Sequence, residues 1–261
     1  MNSPDPRLGR LLLLGEKYDV YGAIGSTNVG TEAAAGISVG SDLDSPSKQW
    51  KYDSTVDNED SLCVIAAPDW IGMAVADAHY GPESSHMLLE RLHTIWAKVR
   101  PTDIEHLAQM IEFLRQGEPA QTQSETTLLA AVYDRASHTG FGISFGDSTF
   151  AIAGRGRVPV PLNQHDNRFV SAGRRGSLRH GSSFEFAATN GELLMAFTDG
   201  VDGCHYRRPE TSVQPEDIHE IALATNMDPL ETVNEVITLA LKGVDGSPGG
   251  QDNIAMIAAL A

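Results

Sequence analysis

The stretch Asp77-Ala78-His79-Tyr80-Gly81 ends an apolar run, Ile71 to Ala76, and leads into Pro82-Glu83. The run predicts a buried strand, and the Pro-Glu pair a helix start. A carboxylate and an imidazole at a strand end, beside a Gly turn, sit where an α/β enzyme tends to keep its chemistry. Further carboxylates share that placement. Glu59 and Asp60 precede an apolar run, Asp147 lies in a Gly-Asp-Ser turn, Asp199 follows Leu193 to Phe197, and Asp252 precedes Ile254 to Leu260. Any one of them alone reads more readily as a turn former than as a ligand. Brought together, they would repel one another unless cations lay among them. Oxygen donors suit hard divalent ions, Mg²⁺ or Mn²⁺. Zinc is disfavoured, because no Cys/His group has ligand spacing.

The elements that would position these groups are legible to different degrees. Strands are expected at Ser61–Ala67, Ile71–Ala76, Thr126–Tyr133, Gly140–Phe145, Ser148–Ala153 and Ile254–Leu260. Phe184–Ala188 and Glu192–Thr198 read as a strand pair around the hairpin signal Asn190-Gly191. Helical spacing runs from Pro82 to Arg100, and again after Asp103, which is placed to cap the next helix. Two more helices are expected near Pro215–Thr225 and Pro229–Lys242. Leu11 to Ile24 suggests strand, whereas Gly25 to Lys51 has no clear period and reads as a loop or an irregular strand pair. Residues 163–183 are polar, Gly-rich and basic, as expected of a surface loop. Strands, two helices, many strands, then helices and a strand suggest two packed sheets with helices outside rather than alternating βαβ units. The expected class is α+β, a four-layer α-β-β-α sandwich formed by a single domain over residues 1–261, with an irregular N-terminal part over 1–50.

Composition narrows the function classes. With 41% hydrophobic and 21% charged residues the chain is ordinary globular material, and 261 residues can bury a full core. A formal charge of −16 argues against nucleic acid as a main partner, since phosphate binding needs a basic face. Leu11–Leu14 is too short to span a membrane, and Cys63 and Cys204 read as separate free thiols. The expectation is a soluble, reduced, cytoplasmic monomer. Gly22 to Gly30 lacks the Walker lysine and the dinucleotide spacing, and Asp199 to Gly203 does not fit a calcium loop.

The ordered set of motifs resembles the metal-dependent (type-2C) serine/threonine protein phosphatases. Asn58-Glu59-Asp60 matches that family's first motif, and Asp77-Ala78-His79-Tyr80-Gly81 its Asp-Gly-His-Gly-Gly. Gly146-Asp147-Ser148, Thr198-Asp199-Gly200 and Asp252-Asn253 follow in the family's order, so the resemblance runs from about Asp53 to the end. It implies a two-metal site in which Asp77 bridges both ions. Asp199 and Asp252 would hold one ion, Glu59 and the Ala78 carbonyl the other, with Asp60 in support. Asp147, with Asp199, matches a third, weaker metal position, and His79 matches the general acid. The implied substrate is phosphoserine or phosphothreonine in a protein. The departures concern substrate recognition. Thr55 stands where the family usually has a phosphate-binding Arg, which leaves Arg174, Arg175 and Arg179 as candidates for that task. Ala78 and Tyr80 replace glycines, and Asp202 falls one residue early for another third-metal ligand. The span from Asp147 to Asp199 is short for the family, which implies a reduced flap. A binding module of the same fold without turnover, a pseudophosphatase, is the competing reading.

Overall fold

The computed structural model describes residues 9–41, 56–116, 124–170, 181–205, 208–244 and 248–261. The first strands are β1 (Gly9–Leu14), β2 (Gly25–Val29), β3 (Ala33–Ser38), β4 (Ser61–Ala66), β5 (Trp70–Ala76) and the short β6 (Ala78–His79). Helices α1 (Glu83–Trp96) and α2 (Ile104–Arg115) follow. Next come β7 (Glu125–Thr126), β8 (Leu128–Asp134), β9 (Thr139–Phe145), β10 (Thr149–Ala153), β11 (Ser182–Ala187) and β12 (Leu193–Phe197). Helices α3 (Pro215–Ala224) and α4 (Pro229–Lys242) and strand β13 (Ile254–Leu260) complete the order.

Two antiparallel sheets result. One runs β1-β4-β5-β8-β9-β11 and the other β10-β12-β13-β3-β2, while β6 and β7 form a separate pair. The alternation of side chains along each strand explains the layers. In β4, Val64 points between the sheets, where it joins Met73, Leu129, Phe150, Leu194 and Ile257. Its neighbours Cys63 and Ile65 point outward, against Leu88, Leu92 and Trp96 of α1 and Leu107 and Ile111 of α2. On the far side, Met195 and Met256 pack against Ile218 of α3 and Val233 and Ile237 of α4. Both sheets are covered on both faces, so the central strands read as unbroken apolar runs despite being antiparallel. The architecture is helix, sheet, sheet, helix, an α+β fold.

The N-terminal residues supply strands to both sheets. β1 pairs with β4 at the edge of the first sheet, and the β2–β3 hairpin extends the second through β13. The weak period of Gly25 to Lys51 has a steric origin. β3 is built from Ala33-Ala34-Ala35-Gly36, and a Cβ at Gly36 would lie 2.7 Å from both Ile237 and Val233. Small residues let α4 approach the sheet, and small residues carry little periodic signal.

The hairpin expected around Asn190-Gly191 is not one. β11 pairs with β9 in the first sheet, and β12 pairs with β10 and β13 in the second. The turn with Gly191 at φ 84° carries the chain from one sheet to the other. Burial gives the reason. β12 is buried throughout, whereas β11 alternates along an edge. The rings of Phe184 and Phe186 lie over Gly142 and Gly140, their cross-strand partners, where an added Cβ would meet those rings at 2.3 and 2.1 Å. β11 is placed by aromatic rings filling the space that glycines leave.

Asp103 caps α2 by accepting from the His106 N–H at 2.8 Å, as its spacing predicted. Cys63 and Cys204 are buried and unpaired by disulfide. No helix among the described residues is long and apolar enough to cross a membrane.

An ion pair joins the segment after α1 to the end of β8, where Arg100 meets Asp134. The Arg100 guanidinium and the Ser137 N–H hold the Asp134 carboxyl down at about 2, from an ordinary 3.8. A depressed carboxyl contributes stability above its unfolded value and loses it as pH falls toward the folded one. With both partners partly solvated, Asp134→Asn is expected to cost about 1 kcal/mol at pH 7. In urea unfolding, the gap between variant and parent is expected to shrink steadily from pH 4 toward pH 2.

Candidate metal centre

Asp77 leaves the end of β5, a central strand, and its main chain is fixed on both sides. Its N–H donates to Thr127 Oγ1 at 3.0 Å, and its carbonyl accepts from the Thr127 N–H at 2.8 Å and from Thr126 Oγ1 at 3.0 Å. Asp199 leaves the end of β12 in the other sheet. There Thr198 donates its N–H to the Ala255 carbonyl at 3.0 Å, and its hydroxyl accepts from the Ala255 N–H at 2.9 Å while donating to Asp60 Oδ2 at 2.7 Å. Asp147 lies in the turn that crosses from β9 to β10. One carboxylate oxygen from each of Asp77, Asp147 and Asp199 lies within 4.8 Å of the other two. Each sheet and the turn between them contributes one acid.

The electrostatics of this cluster are unfavourable without a counter-charge. Burial, followed by the charges of Asp77, Asp252, Asp147 and Asp202, drives the Asp199 carboxyl well above the usual carboxylate range. Its Oδ1 is buried and accepts no hydrogen bond among the described residues. A buried oxygen without a donor costs free energy, and a cation placed there would remove the cost. The donors are oxygens throughout, and hard divalent ions fit them.

The remaining expected residues surround this cluster. Glu59 is fully buried, and its Oε1 accepts the Gly81 N–H at 2.8 Å, which ties it to the loop of Ala78 and His79. Its own N–H donates to Asn253 Oδ1 at 3.0 Å. Asn253 in turn donates its N–H to Asp252 Oδ1 at 2.8 Å and its amide to the Val39 and Asp57 carbonyls. Through Asn253 the start of β4 and the start of β13 are held together. Asp60 acts through Thr198, the residue before Asp199. Ala78 is fully buried and pairs with Thr126. His79 Nε2 stands 4.0 Å from Asp77 Oδ2 with its side chain 40% exposed. Thr55, Arg174, Arg175 and Arg179 lie outside the described residues.

Sequence reasoning set Asp202 aside, and in the structure its charge bears on Asp199. Val201 donates to the Thr198 carbonyl and Gly203 to the Asp199 carbonyl, a helical turn that places residues three apart on one side. Asp202 accepts from Thr149 Oγ1 at 3.0 Å, and burial holds its carboxyl up at about 6. The Asp-Gly-Val-Asp spacing was the available signal. Thr127 and Thr198, which fix the backbone and a carboxylate, carry none, because a threonine at a strand end is commonplace.

Gly200 permits the closest approach. A Cβ there would fall 1.8 Å from the Asn253 carbonyl oxygen, an atom of the main chain that cannot swing aside. Gly200→Ala is expected to destabilise the fold by about 2 kcal/mol or more. It is also expected to weaken Mn²⁺ binding, because Asn253 orients Asp252. Urea unfolding and titration calorimetry read the two effects.

No family model matches the chain, and no curated protein matches it in sequence. Solved structures do. The Mycobacterium tuberculosis serine/threonine phosphatase PstP/Ppp aligns at a TM-score of 0.63 and 17% identity, covering 91% of this chain and 98% of that one. The catalytic domain of PstP in complex with two manganese ions gives 0.64 and 18%, over 91% and 99%. RsbX in complex with magnesium gives 0.57 and 13%, over 92% and 100%. The chain has the type-2C phosphatase fold. At such identities the likeness is one of fold, and what a type-2C scaffold does must be argued from its site. Two of the departures named from the sequence, Ala78 and Tyr80, fall on the loop after Asp77. Tyr80 takes a left-handed backbone, φ 62°, that glycine adopts more readily, and Gly81 follows at φ 116°. The strained tyrosine is 59% exposed and stands beside His79.

Proposed function

We propose that the chain is a Mg²⁺- or Mn²⁺-dependent phosphomonoesterase acting on phosphoserine or phosphothreonine in proteins. The observation that carries this reading is the Asp77, Asp147 and Asp199 cluster, with the buried Asp199 Oδ1 lacking a partner among the described residues. Asp77, Asp199 and Asp252 would hold one ion, with Asp77 shared to a second at Glu59 and the Ala78 carbonyl. Asp60 supports that shell, and Asp147 with Asp199 would take a third, weaker ion. Bound metal supplies an activated water and charge to clamp phosphoryl oxygens. His79, half-exposed beside Asp77, donates a proton to the departing seryl or threonyl oxygen. Arg174, Arg175 and Arg179 are assigned to the substrate phosphate in place of Thr55. The protein works as a cytoplasmic monomer with phosphoproteins as partners.

The test is phosphate release from a phosphothreonine peptide and from p-nitrophenyl phosphate with Mn²⁺, Mg²⁺ or EDTA, with Asp252→Asn as blank. Metal-dependent release that disappears in EDTA and in the blank is the expected result. Calorimetric Mn²⁺ binding without release from either substrate would overturn it. That outcome favours the second reading, a binding module without turnover, which Thr55 and Tyr80 support.

A further inference from the structure

His79 is poorly held for a group that must deliver a proton to one atom. Its side chain is 40% exposed, the nearest carboxylate oxygen is 4.0 Å away, and no hydrogen bond among the described residues reaches its ring. What does meet the imidazole is aromatic. The Phe169 ring centroid lies 5.1 Å away at an interplanar angle of 66°, and Tyr80 lies at 6.4 Å and 66°. Edge-to-face contact at the Phe169 distance is attractive and directional.

Phe169 is itself placed by the backbone. The following residue, Val170, is buried and exchanges two hydrogen bonds with Thr126, N–H to carbonyl in each direction, at 2.9 and 2.8 Å. Thr126 pairs with Ala78, and Glu125 with His79. The imidazole and the phenyl ring therefore ride on one small three-segment unit. The other end of the Phe169 segment is also pinned. Asp166 exchanges hydrogen bonds with Gly146, accepting at Oδ1 from its N–H at 3.0 Å and donating its own N–H to the Gly146 carbonyl at 2.9 Å. Gly146 adjoins Asp147. A segment fastened to the Asp147 turn at one end and to the His79 strand at the other sets its ring against the imidazole.

We infer that Phe169 is a positioning residue for His79, holding the imidazole in the orientation from which it protonates the leaving oxygen. The inference rests on the proton-donor role proposed for His79. It concerns a side chain that neither binds metal nor reacts. Without the ring, a half-exposed imidazole samples other rotamers, and the fraction aimed at the leaving group falls.

The test compares Phe169→Ala and Phe169→Tyr with the parent, all loaded with Mn²⁺, on two substrates. A seryl or threonyl oxygen needs protonation to leave, whereas p-nitrophenolate leaves without it. Phe169→Ala is expected to lower kcat on a phosphothreonine peptide about tenfold, part of the about 10²–10⁴-fold that a general acid contributes. KM on the peptide and the rate on p-nitrophenyl phosphate are expected to change less than about twofold, and Phe169→Tyr to restore the peptide rate. Equal losses on both substrates, or a change in KM alone, would overturn the inference. So would a folded Phe169→Tyr that fails to restore the rate. An independent reading comes from ¹³C relaxation of the His79 imidazole, which is expected to show larger motion in Phe169→Ala. Should the parent hydrolyse neither substrate, the proposed activity fails. The relaxation measurement then decides the positioning alone, and equal motion in parent and variant refutes it.

Discussion

With Asp199 replaced by Asn, the protein is expected to lose metal-dependent hydrolysis while its metal-free form becomes harder to melt. Both effects follow from one crowded carboxylate. Asp199 feels Asp77, Asp252, Asp147 and Asp202 together, on top of its burial, and its Oδ1 has no donor among the described residues. Asn keeps the shape but removes the charge. Metal affinity is expected to drop by more than the about 10–100-fold typical of losing an outer-shell partner. In EDTA, removing the repulsion is expected to raise the melting temperature by a few degrees, at about 2–4 °C per kcal/mol for a chain of this size. The pH dependence has a definite sign. A carboxyl raised in the folded state contributes stability below its unfolded value of 3.8, and that stability is lost as pH rises through the folded value. Metal-free parent is therefore expected to gain stability, relative to Asp199→Asn, on acidification from neutrality. Calorimetric melting with and without EDTA decides it. Equal melting temperatures in EDTA would mean that the cluster is not strained.

His79→Ala is expected to separate chemistry from metal binding. Its imidazole is half-exposed and stands 4.0 Å from Asp77 Oδ2, so Mn²⁺ affinity is expected to change little. Turnover of a phosphothreonine peptide is expected to fall about 10²–10⁴-fold. The fall on p-nitrophenyl phosphate is expected to be far smaller, because its leaving group needs no proton. A loss of Mn²⁺ binding, or equal losses on both substrates, would mean that His79 shapes the site instead of donating a proton.

Much of the fold could be read in advance where burial imposes a pattern. The strand Trp70–Ala76 is apolar throughout because helices and the second sheet cover its two faces. Asp103 and the prolines of α3 and α4 mark helix starts through their side-chain chemistry. The clustering of Asp77, Asp147 and Asp199 was legible because each stands at a strand end or in the turn beside it. Two things escaped. Partner choice among strands is a property of distant residues. Nothing local to Asn190-Gly191 tells that Phe184 and Phe186 need the glycines of β9. The other is Asp202, set aside because it falls one residue early for the family's third-metal position, although the helical turn after Asp199 brings its carboxyl to Thr149.

The bond from the Glu59 N–H to Asn253 spans 194 residues, and Asp252 stands beside it. A chain emerging from the ribosome can close β4 on β5 and build α1 early, yet β12, which carries Asp199, gains its partner β13 and the neighbouring Asp252 only when the final strand arrives. Ion capture is then expected to be a late event in folding, limited by the slowest long-range closure. In refolding from urea, intrinsic tryptophan fluorescence is expected to recover before the ability to bind Mn²⁺. A copy ending before Asp252 would also lack β13, the strand that joins β12 to β3, and is expected neither to close the second sheet nor to bind Mn²⁺.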